Sequence, residues 1–203
     1  MELCGLSSFW SDSLNSAKNS SSPFSKTIRK AQLQDIKGLT EVITQSFHPT
    51  KGCFSLVQPL LRLGVYEDLR SRLRADAPHY CCLVALEISE TATGQQEKVI
   101  GTIELTLRSS FNTHYPYISN LAVAHSHRRQ GIARNLLIKC EQIAKEWGHQ
   151  TLSLHVLDNN YAAKKLYTNS GYQLSETELN WPNWLFHNRQ RLLLQKTLEP
   201  FSK

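Results

Sequence analysis

No apolar run in the sequence approaches the roughly 18 uninterrupted residues of a membrane-crossing helix, so no membrane partner is expected. No long apolar run precedes a small-residue cleavage site near the start either, so a secretory signal is not expected. Cysteine is sparse: Cys4, Cys53, Cys81, Cys82 and Cys140 are odd in number and form no C-x-x-C pair. A disulfide framework or a zinc site is therefore not expected, and a reducing compartment is. What is present is an ordinary globular composition, 40% hydrophobic and 20% charged over 203 residues. That excludes collagen-like, coiled-coil and wholly disordered chains, and it is enough for one domain with a sizeable core.

The net charge of +6 permits an anionic partner, either nucleic acid or a phosphate-bearing cofactor. Arg128, Arg129, Arg134 and Lys139 crowd into a stretch without a single acid. Aromatics do not interleave with them as single-strand binders require, so nucleic acid is not the expected partner. Residues 1–25 hold nine serines and little apolar periodicity. Glu2 and Asp12 are present and arginine is absent before Arg29, unlike a transit peptide. A disordered tail over 1–25 and a single domain over 26–203 are expected, in the cytoplasm, with a plastid as the alternative.

Periodicity predicts a strand over Ser25 to Ala31 and a helix over Asp35 to Phe47. A second helical region over about 54–74 is expected to be interrupted at Pro59 and Gly64. Strands are expected over Tyr80 to Ile88, Val99 to Leu107 and Tyr117 to Val123, the first two joined by a hairpin loop. Gln130 to Trp147 carries a helical apolar stripe that includes Cys140, and Gly148 stops it. Leu152, Leu154 and Val156 alternate with Ser153 and His155, which predicts a strand with those two on its polar face. Tyr161 to Asn169 is a short helix; Tyr172 to Leu179 and Arg191 to Leu198 are a final strand pair. The order defines an α/β or α+β sandwich.

Chemistry concentrates where the strand ending at Val123 runs through a basic turn into a helix. A helix start offers unpaired N–H groups and a positive dipole end, which phosphate oxygens bind. Gly131 and Ala133 leave the backbone accessible, and the arginines add charge-assisted bonds. The segment fits neither G-x-x-x-x-G-K-[ST] nor G-x-G-x-x-G.

Arg128-x-x-Gly131-x-Ala133, followed by Asn160-x-x-Ala163-x-x-Leu166-Tyr167 and then Gly171-Tyr172, resembles the GCN5-related N-acetyltransferases. The resemblance is good over roughly 118–174, and strand order extends it over about 27–198. It implies an acyl-CoA N-acyltransferase fold, a mixed and mostly antiparallel sheet flanked by helices, with acetyl-CoA as acetyl donor and no metal. Leu121, Ala122 and Val123 would pair with the pantetheine arm. Arg128, Arg129, Gln130, Gly131, Ile132, Ala133 and Arg134 would cradle the pyrophosphate. Asn160 would hydrogen-bond near the pantetheine and Ala163 would leave room for it.

The resemblance makes Tyr167 the acid that protonates the leaving thiolate; the residue alone would read as a core tyrosine on the apolar face of a short helix. A phenol of pKa about 10 is competent toward a thiolate of about 8.5–10. His155 stands at the offset where amino-terminal protein acetyltransferases of the family, including the ribosomal-protein-alanine group, keep a base. A water chain is the alternative. His125 and His127 are expected to be solvated or near a phosphate, Cys140 to be core, and Cys81 and Cys82 to be no nucleophile.

The resemblance also places the acceptor between the first helix–helix loop and the last strand–strand loop. Phe47, Tyr117, Trp181 and Trp184 are the candidate substrate-binding residues, and the first loop also holds Phe54. Few acids occur there, which argues against dicationic amines. The expected acceptor is a protein or peptide amine, an amino-terminal α-amine or a lysine. The alternatives are a small-molecule amine and a non-catalytic acyl-CoA sensor. Monomer and homodimer both stay open. F-H-P at 47–49 and P-L-L-R-L-G-V-Y-E-D-L-R at 59–70 are similar to cyanobacterial and plastid members.

Overall fold

The computed structural model describes residues 24–47, 58–91, 94–110, 113–178 and 190–199. Strand β2 (Tyr80–Thr91) shows how the layers arise. Cys81, Leu83 and Ala85 belong to one apolar cluster and Cys82, Val84 and Leu86 to another, all of them buried. A strand apolar on both faces must be covered on both. Its neighbours are β1 (Phe24–Lys30) and β3 (Gly94–Ser110), both antiparallel to it. The remaining elements are α1 (Ile36–Phe47), α2 (Gln58–Ala75), β4 (Thr113–Val123), α3 (Ile132–Glu146), β5 (Thr151–Leu157), α4 (Tyr161–Asn169), β6 (Gln173–Glu178) and β7 (Arg191–Thr197).

The seven described strands form one sheet in the order β1-β2-β3-β4-β5-β7-β6. Within it β4 and β5 are parallel; every other neighbouring pair is antiparallel. On one face α3 buries Ile132, Leu136, Leu137, Cys140, Ile143 and Ala144, and α4 adds Tyr167. On the other, α1 buries Ile36, Leu39 and Ile43, and α2 adds Leu69. Each fully buried leucine contributes about 1.5–3 kcal/mol. The expected mixed, mostly antiparallel sheet flanked by helices is the architecture found.

Gly101 on β3 lets α3 press onto the sheet. A Cβ there would stand 3.1 Å from Ile132 Cγ2 and 3.3 Å from both Leu136 Cδ1 and the Ala122 carbonyl oxygen.

Several expectations are corrected. Helix α2 is unbroken through Pro59 and Gly64. Proline sits in its first turn, where no N–H is needed, and the Gly64 position faces open space. Most of the hairpin loop foreseen between β2 and β3 is paired strand, with Ser89 opposite Gln96 and Thr91 opposite Gly94, because backbone pairing needs no apolar side chains. Helix α3 starts at Ile132, two residues later than expected, since Gly131 caps it at φ 79. Ser153, on the expected polar face of β5, is fully buried, and its hydroxyl accepts from Gln195 Nε2 at 3.2 Å. Phe24 and Ser25 belong to β1 rather than to a tail; residues 1–23, Phe54, Trp181 and Trp184 lie outside the described residues.

Candidate active site

Strands β4 and β5 pair only through Tyr117 with Ser153 and Ile118 with Leu154. Beyond those rungs they part. β4 stays with β3, with Ala122 opposite Thr102 and Val123 opposite Gly101, while β5 stays with β7, with Val156 opposite Leu192. Beside this part of β4, facing the helix that follows β5, opens a cleft of about 680 Å³. Leu121, Ala122 and Val123 form one wall; Asn160, Ala163 and Tyr167 form the other. An edge whose backbone groups have lost their neighbouring strand can bond an amide-bearing chain laid along it.

The mouth of the cleft is the basic turn. A single 3-10 turn, His125–His127, leads into Arg128, whose Nε donates to the Val123 carbonyl at 3.1 Å. Arg129 then takes φ 65 and Gly131 φ 79, both left-handed. The chain thereby enters α3 with its first-turn N–H groups turned outward at a dipole end, a ready anion seat. Arg128, Arg129, Gly131, Ile132, Ala133 and Arg134 all line the cleft. Gln130 does not; its side chain accepts from Lys26 Nζ at 2.6 Å and donates to the Ser126 carbonyl, which turns it toward β1. His127, expected to be solvated or near a phosphate, is buried and lines the cleft beside Arg128, held by Ser126 Oγ at 2.8 Å and Glu87 Oε1 at 3.2 Å.

Asn160 caps α4. Its Oδ1 accepts from Ala163 N at 3.2 Å, which leaves its amide nitrogen to serve a ligand. Further along the helix, Tyr167 is 8% exposed and packs edge-on against Tyr172, ring centroids 5.8 Å apart. Burial, with Tyr117 adding to it, pushes the Tyr167 phenol up to about 12. The group therefore keeps its proton throughout the neutral range.

On the opposite face of the sheet, the Tyr117 hydroxyl and His155 Nδ1 share a hydrogen bond of 3.0 Å. The Arg108 guanidinium lies 3.4 Å from the centroid of the Tyr117 ring. Neither Tyr117 nor His155 lines the cleft itself, whereas Phe47 and Ser46 at the end of α1 do. Sequence reasoning missed Ser46, Lys165, Asn169 and Ser170 on the cleft wall. Asn169 and Ser170 follow Leu166 by three and four residues, and Lys165 follows the lining residue Ala162 by three, a signal that is legible once α4 is assigned.

The thiols Cys81, Cys82 and Cys140 are buried and free. Burial pushes Cys81 up to about 11, and it raises Cys82 and Cys140 as well, which suits no nucleophile. Among the described residues no group of three or more His, Cys, Asp and Glu could hold a metal ion, and no helix is long and apolar enough to cross a membrane.

A parallel strand pair that opens onto an anion-binding helix start, with a buried phenol on the facing helix, is the architecture of an acyl-CoA-dependent transferase. The sequence model of the Acetyltransferase (GNAT) family matches residues 48–172. The chain is 31% identical over 172 residues to GCN5-related N-acetyltransferase 10, chloroplastic, of Arabidopsis thaliana, a match covering 80% of this chain and 67% of that one. Matches to three further chloroplastic relatives from the same plant are local and span only 21% to 28% of those proteins. It is also 31% identical over 139 residues to the thialysine N-epsilon-acetyltransferase of Bos taurus, covering 62% of this chain and 82% of that one. In fold it resembles the ribosomal-protein-S18-alanine N-acetyltransferase of Escherichia coli, with a TM-score of 0.59 and 16% identity over 88% of this chain and 97% of that one. This chain belongs to the GCN5-related N-acetyltransferase family. It is an N-acetyltransferase whose acetyl donor is acetyl-CoA.

Proposed function

We propose that the acceptor is a protein amine, an amino-terminal α-amine or a lysine side chain, attacked directly by way of the Tyr117–His155 pair. The observation that carries this is the 3.0 Å bond between those two side chains, on strands that part to form the donor cleft. The donor's pantetheine arm runs along Leu121 to Val123 and its pyrophosphate sits on the Arg128–Arg134 turn. The amine nitrogen forms its bond to the acetyl carbon as the carbon–sulfur bond breaks. Tyr117 and His155 take the amine proton, the phenol oxygen accepting it while the phenol passes its own to Nδ1. Tyr167, still protonated, gives its proton to the departing sulfur, and the proton left on His155 returns to Tyr167 through solvent. The products are an amide and free CoA thiol.

Phe47, exposed at the end of α1, lines the cleft and is the aromatic we assign to the acceptor there. The charged group resting on Tyr117 is Arg108, a cation, which disfavours a polycationic acceptor. The fold likeness to a ribosomal-protein alanine acetyltransferase supports a peptide amine. The chloroplastic relatives support a plastid over the cytoplasm.

The thialysine relative favours a second acceptor class, a small-molecule amine. One experiment separates the two. The purified protein is incubated with acetyl-CoA and a mixed library of peptides with free amino termini and internal lysines, alongside a panel of free amino acids and diamines. Mass spectrometry against a no-enzyme control should find acetylated peptides, and the modified positions assign the amine. Acetylation confined to the small amines would sink the protein-acceptor reading.

A further inference from the structure

Glu104 on β3 is 0% exposed, and both of its oxygens are engaged. Oε2 accepts from Arg72 Nη1 on α2 at 2.9 Å, and Oε1 accepts from Asn120 Nδ2 on β4 at 2.9 Å. A carboxylate taken so completely from water is tolerated only where it is paired and hydrogen-bonded, and an apolar residue would fill the space at less cost. Its place calls for a reason other than packing.

The partner supplies that reason. Asn120 has φ 50 in the interior of a strand, a left-handed conformation that asparagine tolerates better than other side-chain-bearing residues. The ladder slips at this point: Thr102 faces Ala122 while Glu104 faces Ser119. Two steps along β3 therefore match three along β4, the extra residue of a bulge, and a bulge bends its strand and re-aims the residues beyond it. On the far side of this bulge lie Leu121 to Val123, the cleft wall; on the near side lies Ile118, the last residue that pairs with β5.

We propose that Glu104 is a positioning residue for the donor: by holding the Asn120 side-chain amide it locks the left-handed bulge that turns Leu121 to Val123 away from β5, and through Arg72 it anchors that bulge to α2. This rests on the donor lying along Leu121 to Val123. The lock acts on the ground-state seat of acetyl-CoA and not on the proton transfers, so its loss shows in KM for acetyl-CoA and not in kcat.

Asn120 provides the decisive pair of variants, because glycine adopts the left-handed region without help and alanine does not. Asn120→Ala should raise KM for acetyl-CoA about tenfold with kcat within about twofold. Asn120→Gly should recover most of that loss. Glu104→Leu should raise KM like Asn120→Ala, and the double variant Glu104→Leu/Asn120→Gly should fall back toward Asn120→Gly, a coupling that a merely structural carboxylate would not produce. Glu104→Gln keeps an acceptor for Asn120 but loses the ion pair, so it should lower the melting temperature while KM for acetyl-CoA stays low.

Equal KM values for Asn120→Ala and the parent, or equal defects in Asn120→Ala and Asn120→Gly, would overturn the proposal. If Glu104→Leu does not fold, the Asn120 pair decides alone, since that side chain is only part-buried. Calorimetric binding of acetyl-CoA to the parent and to Arg129→Glu is measured in the same series. An Arg129→Glu protein that binds as tightly as the parent would undo the donor placement itself, whereas normal weakening there with no effect at Asn120 would undo only the lock.

Discussion

The Tyr117 hydroxyl and His155 Nδ1 meet at 3.0 Å just where β4 and β5 stop pairing. One residue comes from each of the two diverging strands, so the contact exists only because the strands run parallel and close together at their last shared rungs. His155→Ala should lower kcat about 10²–10⁴-fold, with acetyl-CoA affinity unchanged. Tyr117→Phe should lower kcat as well, since it cuts the proton path while leaving the imidazole in place. Steady-state kinetics checks both; a kcat in His155→Ala equal to the parent's would assign the base to solvent.

Tyr167 is the second proton-bearing group, and its burial decides its state. Tyr167→Phe should cut kcat at least tenfold, with acetyl-CoA affinity held within about twofold, because it removes an interaction made to the leaving sulfur. With its phenol pushed up to about 12, Tyr167 should cause no loss of activity from its own ionisation below about pH 11. Single-turnover rates measured from pH 7 upward test this.

Arg129 separates charge from backbone. Arg129→Glu should weaken acetyl-CoA binding, and the weakening should shrink as salt is raised. Arg129→Gly should also bind less tightly, yet melt higher than the parent, because glycine removes roughly 1–2 kcal/mol of left-handed strain at φ 65. Calorimetry and thermal melts read the two effects independently.

Stability should fall steeply in alkali. Burial raises Tyr167 from 10.0 to about 12 and Cys81 from 9.0 to about 11, and it also raises Tyr80, Tyr172, Cys82 and Cys140. For a group raised in the fold, the native state holds its proton where the unfolded state has lost it. The stabilisation is complete below the unfolded value and disappears as pH climbs through the folded one. The melting temperature should therefore drop across the window from about pH 9 to about pH 12.

Gly101→Ala should cost about 1–3 kcal/mol, since its Cβ would press on Ile132 and Leu136 at the opening turn of α3. It should also weaken acetyl-CoA binding, because that turn carries the anion seat. Thermal melts and calorimetric titration of the variant check the two effects.

The elements and the basic turn that lines the cleft were legible in the linear chain. Local information sufficed there, because apolar periodicity marks strands and helices and because Arg128, Gly131, Ala133, Asn160 and Tyr167 keep a fixed spacing. Boundaries were less legible. Pro59 looked like a break when it stood at a helix start, and the polar residues of the β2–β3 hairpin hid a paired ladder. Contacts between residues distant in the chain came only with the folded arrangement. Folding turned Gln130 away from the cleft toward Lys26 and buried His127 against Glu87. It joined Tyr117 to His155 and closed Glu104 between Arg72 and Asn120. Spacing along one strand or helix fixes which face a side chain takes. Which side chain from another strand or helix meets it there is set by sheet order, register and the bulge in β4.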